Sequence, residues 1–219
     1  MRLLLIRHGQ TPSNVAGRLD TAVPGPGLTE LGLAQAAAIP RALEGERIGT
    51  IFASTQVRAQ LTATPLAETL DRRLTVRDGI REIYAGDLEM RNDQDAVAEY
   101  HSASFSWIDG DLNERVPGGE SGHDVFGRFD AVVDEASATG DETVAIIAHG
   151  QVLRVWAAAQ AQATQRFASE NPLHNTGMIV LNGTAGQWSL VDWRSEPLGG
   201  ENLDVGISGG PGGTTAGVR

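Results

Sequence analysis

The chain has 219 residues, enough to bury one substantial core, and 41% of them are apolar. Its 17 Lys and Arg against 28 Asp and Glu give a formal charge of −11, which excludes nucleic acid and anionic membrane as natural partners, because phosphate backbones need clustered cations. The absence of cysteine excludes disulfides, thiolate catalysis and Cys-ligated metal.

Residues 2–6 (RLLLI) are a short apolar run that ends at a polar cluster, as a strand buried on both faces would. Four consecutive apolar residues, Leu3 to Ile6, are too few for a signal peptide or a membrane span. A soluble, cytoplasmic protein is expected. A helical pattern then starts at Thr29, an N-cap residue, and runs to about residue 45, with Pro40 expected to kink or end it. Residues 50–53 form the next strand. The helical stretch 57–70 follows, with Pro65 posing the same problem, and then a strand at 74–77.

The stretch 82–124 differs in kind. It carries eleven acids against Arg91 and Arg115, a net −9, and reads as an elaborated, lid-like connection with a helix near 92–101. Ser121 and Asp124 form a capping pattern for a helix that stops near Gly140. A strand at 143–148 and a helix after Gly150 come next. Strands at 177–182 and 187–193, joined by GTAG, read as a hairpin, so one sheet edge is expected to be antiparallel and could pair two copies as a homodimer. Residues 199–219, with eight glycines, read as a mobile tail behind a domain spanning 1–198. Strands alternating with helices predict an α/β fold, a three-layer sandwich with a mostly parallel central sheet and helices on both faces.

In such a sheet ligands bind beyond the carboxyl ends of strands. The first strand runs into Arg7-His8-Gly9-Gln10-Thr11, and the strand at 143–148 runs into His149-Gly150-Gln151. Arg58 opens the helix after the second strand, and Glu82 follows the third. Arginines grip a phosphate dianion through forked, permanently cationic donors. A neutral imidazole can attack phosphorus and carry the phosphoryl group. Glycine after each histidine allows close backbone approach, and a carboxyl group can protonate the leaving alcohol. Other readings fail on spacing. No two histidines lie at i,i+4 around a carboxylate as in a zinc protease, and the Gly119-Glu120-Ser121 segment breaks the G-x-S-x-G pattern at His123. His101, His123 and His174 read as structural or exposed, and Phe105 and Trp107 as core, with the lining of a pocket under the acidic segment as the alternative.

Taken in order, Arg7-His8-Gly9-Gln10-Thr11 with Asn14, LTELGLAQA (28–36), ASTQVRAQLTA (53–63), Arg81-Glu82 with Gly86, Pro117-Gly118-Gly119-Glu120-Ser121 and IIAHGQVLR (146–154) resemble the histidine phosphatase superfamily, in its phosphoglycerate-mutase-like branch. The resemblance implies roles position by position. His8 would be the nucleophile. Arg7, Arg58 and His149 would complete the phosphate pocket, with Asn14 and the backbone near Gly150 and Gln151 adding hydrogen bonds. Glu82 would be general acid and then base. No metal and no organic cofactor would be required, and the partner would be a small phosphorylated metabolite.

Two departures concern the substrate. Gly86-Asp87-Leu88-Glu89-Met90 lacks the family's Trp and final Gly, and the loop 20–27 carries two prolines. A mutase would want cations over the pocket where this chain has net acid, so hydrolysis of a small phosphomonoester is expected over mutase-type phosphoryl return. A non-catalytic phosphate-binding regulator is the rival of another class.

Overall fold

The computed structural model describes residues 1–184 and 186–204. Ala185 and most of the expected tail, residues 205–219, lie outside them. Six strands form one sheet: β1 (Arg2–Arg7), β2 (Ile48–Ser54), β3 (Leu74–Arg77), β4 (Thr143–Ala148), β5 (Met178–Thr184) and β6 (Gln187–Arg194), in the order β3-β2-β4-β1-β5-β6. β1 to β4 pair in parallel, and β5 is antiparallel to both β1 and β6. The expected hairpin edge is present. Its strands extend through Gly183 and Thr184, which were expected in the turn.

The apolar runs are explained by alternation. Leu3, Leu5, Val144 and Ile146 face one core, while Leu4, Ile6, Ala145 and Ile147 face another. The smaller core is covered by α2 (Glu30–Ala42) and α3 (Val57–Thr69); the larger contains residues of α4 (Gln94–Ser106), α5 (Gly122–Ala138) and α6 (Gly150–Gln160). Two short helices, α1 (Pro12–Val15) and α7 (Gln165–Glu170), complete the fold. Thr29 caps α2 by accepting from Gly32 N–H, and Ser121 with Asp124 makes the full capping box of α5.

Neither proline ends its helix. Pro40 lies two residues before the end of α2, and Pro65 sits within α3. Both line the surface seam between the two helices. The buried face of α3, Ala59, Ala63, Leu66 and Ala67, holds the helix against a proline cost of about 3 kcal/mol.

The 82–124 segment is no separable lid. Ile83, Leu88, Tyr100, Phe105, Trp107 and Val116 are buried in the larger core. α4 runs past its expected end to Ser106 because Ala103, Ser104 and Phe105 are buried. Residues 199–204, expected within the tail, are docked: Gln35 Nε2 donates to Leu203 O over 2.9 Å, and His174 Nδ1 lies 2.9 Å from Asp204 Oδ2.

Candidate active site

Strand register brings the two histidines together. β1 and β4 pair with Arg7 opposite Ala148, so His8 and His149 each stand one residue beyond adjacent parallel strand ends. Their ring centroids are 5.1 Å apart, and both side chains are buried. His8 Nδ1 lies 2.7 Å from the carbonyl of Gly9, and Arg58 Nε–H donates to His8 Nε2 over 3.1 Å. A carbonyl only accepts and a guanidinium only donates. Nδ1 therefore carries the proton and Nε2 the lone pair.

Arg58, on the first turn of α3, also donates through Nη2 to Asp20 O over 3.0 Å. Its Nη1 is buried without a hydrogen-bond partner, as are both ring nitrogens of His149. Arg7 is buried and donates from Nη1 to Leu173 O over 2.6 Å. Burial, opposed by Glu82 and reinforced by Arg58, lowers its guanidinium to about 10, which leaves it cationic at neutral pH.

Glu82 follows β3 through a 3₁₀ turn at Asp78–Ile80. Its carboxylate meets the N-terminus of α6, accepting from Gln151 N–H at 3.1 Å and Val152 N–H at 2.9 Å. The structure thus brings Arg7, His8, Arg58, Glu82 and His149 to one edge of the sheet. Among the described residues no group of three or more His, Asp or Glu side chains is arranged as metal ligands would be.

The sequence profile of the histidine phosphatase superfamily (branch 1) matches residues 3–196. The chain belongs to that superfamily. It is 33% identical over 92% of its length to a PE-PGRS family protein of Mycobacterium tuberculosis, of which it spans 38%. It is 32% identical over 70% of its length to the adenosylcobalamin/alpha-ribazole phosphatase of Salmonella typhimurium, covering 76% of that protein. A mycobacterial glucosyl-3-phosphoglycerate phosphatase in complex with VO3 superposes with a TM-score of 0.74 at 29% identity, over 89% of this chain and 99% of that one. The six-stranded sheet with helices on both faces is the fold of these histidine phosphatases, and the chain is of the phosphoric monoester hydrolase type.

The electrostatics of this histidine phosphatase site separate its titrating groups. Burial, then Arg58 and Arg7, push the His8 imidazole well below its ordinary range, against the pull of the Gly9 carbonyl. His149 is lowered in the same direction by burial, Arg58, His8, Arg128 and Arg7. Burial raises the Glu82 carboxyl, although the N–H groups of Ile83, Gln151 and Val152 and the charge of Arg58 oppose it. The shifts favour the neutral form of both imidazoles and raise the proton affinity of the carboxyl beside them.

Two expected roles are altered. The Gln151 N–H is engaged by Glu82, and its side chain donates to Ser104 Oγ over 2.8 Å, so that N–H is committed to the Glu82 carboxylate. Gly9 presents its bare Cα to helix α2: a Cβ there would meet Gly32 O at 2.6 Å. Asn14 is buried, and its Oδ1 accepts from Thr11 N–H at 3.0 Å and from Asn175 Nδ2 at 3.1 Å.

Several supporting residues escaped the sequence reading. Gln56 accepts the Glu82 N–H at 2.9 Å and donates to Thr21 O at 2.8 Å. Thr62 accepts the Gly9 N–H at 2.9 Å, and Asn175 donates to His8 O at 3.0 Å. Glu89 ties the loop after Asp20 by accepting from the N–H groups of Thr21 and Ala22 and from the Thr21 hydroxyl. Buried Gln56 and Thr62 lie in the same block as Arg58, which was the one available signal.

Proposed function

We propose that this chain hydrolyses a small phosphomonoester through a phosphohistidine on His8, using residues 1–198 as one domain. The reading rests chiefly on one observation. Arg58 Nε–H meets the lone pair of His8 Nε2, the His149 ring centroid lies 5.1 Å from that of His8, and Arg58 Nη1, 4.0 Å from Asp20 Oδ1, and both His149 ring nitrogens are buried without a hydrogen-bond partner. Buried polar atoms are normally paired. Phosphoryl oxygens would pair these and place phosphorus before Nε2.

In the first step the Nε2 lone pair attacks phosphorus, the P–O bond to the leaving alcohol breaks, and Glu82 gives its proton to that oxygen. In the second, the Glu82 carboxylate takes a proton from water, the water oxygen attacks phosphorus, and the P–N bond electrons return to Nε2. Arg7, Arg58 and His149 stabilise charge on the equatorial oxygens, and Asn14 and the Gly150 N–H are assigned the remaining hydrogen bonds to the phosphoryl group. The scheme uses no metal and no organic cofactor.

Hydrolysis is favoured over mutase chemistry because Arg91 and Arg115, the two cations of the 82–124 segment, are each paired, with Asp93 and Asp124. They are not held in reserve for a second anionic group. A small phosphorylated metabolite as substrate fits the phosphatases named above. A cytoplasmic location fits the lack of cysteine; among the described residues no helix is long and apolar enough to cross a membrane. The test is a panel of phosphomonoesters with released phosphate as readout, for the wild-type chain and His8→Ala. Release that needs His8 is expected. Interconversion of 2- and 3-phosphoglycerate without release would establish the mutase instead, and binding without turnover the regulator.

A further inference from the structure

Glu82 sits where regular structure gives no support, because residues 81–85 belong to neither strand nor helix. An acid that must meet a leaving oxygen within hydrogen-bond reach needs its main chain held by something else. Gln56 holds the Glu82 N–H, and Arg128, on α5 and 12% exposed, holds the carbonyl side. Its Nη1 donates to Gly79 O at 2.7 Å and Arg81 O at 2.8 Å, and its Nη2 donates to Glu82 O at 3.2 Å. The other two N–H groups grip one carboxylate: Nε to Glu120 Oε1 at 2.8 Å and Nη2 to Glu120 Oε2 at 3.1 Å. All five guanidinium donors are thereby used.

Glu120 extends the clamp. It accepts from Arg81 Nη2 at 2.7 Å and from the Tyr84 N–H at 3.0 Å. Three of the four residues 81–84, namely Arg81, Glu82 and Tyr84, are thus bound to a single ion pair that touches neither His8 nor the phosphate donors by any hydrogen bond described.

We propose that Arg128 and Glu120 are positioning residues for the acid step, fixing the backbone of Glu82 so that its carboxyl reaches the leaving-group oxygen. The inference rests on the assignment of Glu82 as general acid. It assigns the Glu120 of the Pro117–Ser121 segment a task beyond leading into the cap of α5. A lysine at 128 would keep the charge and lose the fork, so its three donors could not hold the three carbonyls and both Glu120 oxygens together.

The test compares two substrates that the wild-type chain turns over: an alkyl phosphate, whose alkoxide needs a proton, and p-nitrophenyl phosphate, whose leaving group does not. The readout is kcat/KM, which covers the steps up to release of the alcohol. Arg128→Lys is expected to lose about tenfold to a hundredfold more on the alkyl than on the aryl substrate, the loss typical of a small displacement of a reacting group. Equal losses on both, or no loss, would overturn the proposal, since a general loosening of the fold has no reason to sense the leaving group.

If Arg128→Lys does not fold, Glu120→Gln, which keeps the shape of the side chain, is read in the same way and decides the matter. Glu82→Gln separates the two layers of the argument. If it lacks the leaving-group dependence, the acid assignment itself fails. If it shows the dependence while the Arg128 and Glu120 variants do not, the clamp alone fails.

Discussion

Arg58 Nε–H points at His8 Nε2 across 3.1 Å, so the guanidinium occupies the very lone pair that the proposed mechanism directs at phosphorus. That contact has to be exchanged when substrate arrives, and the displaced arginine is then beside the phosphoryl oxygens. Its Nη2 stays anchored on Asp20 O, which keeps the fork in place during the exchange.

Arg58→Ala should therefore lower kcat by about 10²–10³, the cost of losing a preorganised donor to developing charge. Arg58→Lys should recover little, because a compact ammonium lacks the planar fork that spans from Asp20 O to the position of His8 Nε2. Steady-state kinetics on an aryl phosphate check this. A lysine variant with near wild-type kcat would contradict it.

The pH profile follows from two opposed shifts. The His8 imidazole is held below its ordinary value of 6.5 by burial and by Arg58 and Arg7, so the neutral nucleophile persists into acid. The Glu82 carboxyl is raised above 4.5 by burial, so the proton it donates is lost only as pH climbs through that higher value. A bell-shaped kcat/KM is expected, with its acid limb below 6.5. Glu82→Gln should remove the basic limb. An acid limb at or above 6.5 would show that His8 is not depressed.

How much of this was readable follows from how each residue acts. His8 and His149 were legible because continuous apolar runs end directly at them, and parallel strands of one sheet end at one edge. Arg58 and Glu82 were legible by their place after strands. Gln56, Asn175 and Arg128 were not, because they act through main-chain groups far away in sequence: Arg128 reaches Glu82 O across 46 positions. The 82–124 segment misled for a related reason. Its acids dominate the composition, while Ile83, Leu88, Tyr100, Trp107 and Val116, the residues that bury it, follow no helical or strand period. Pro40 and Pro65 do not end their helices, because packing of the opposite helix face overrides local propensity.

The glycine pair beneath the catalytic loop gives a further expectation. Gly32 lies so close to the loop that an added Cβ would stand 2.1 Å from Gln10 O, a backbone atom that cannot swing aside. Gly32→Ala should destabilise the protein by about 1–3 kcal/mol, the usual cost of overpacking. It should also lower kcat, since Gln10 is two residues from His8. Urea unfolding and kinetics test both parts. A change in stability below about 0.5 kcal/mol, the range of an ordinary surface substitution, would refute it.

His101 provides a stability test away from the reacting groups. It is buried on α4 between Tyr100 and Phe105, and its Nε2 has no hydrogen-bond partner. Burial, aided by Arg154, lowers its imidazole from 6.5 to about 4. Between those values the unfolded chain binds a proton that the folded chain refuses, so stability is lost as pH falls from 6.5 towards 4. Replacing the ring by an apolar side chain removes this proton uptake and the unpaired nitrogen together. His101→Leu should leave stability at pH 7 within about 1 kcal/mol of wild type and should lose about 2 kcal/mol less than wild type on going from pH 7 to pH 5. His8 and His149 also resist protonation, but they contribute equally to both proteins and cancel in the comparison. Urea midpoints at the two pH values measure the difference. An unchanged pH dependence would mean that His101 accepts its proton in the folded state as readily as in water.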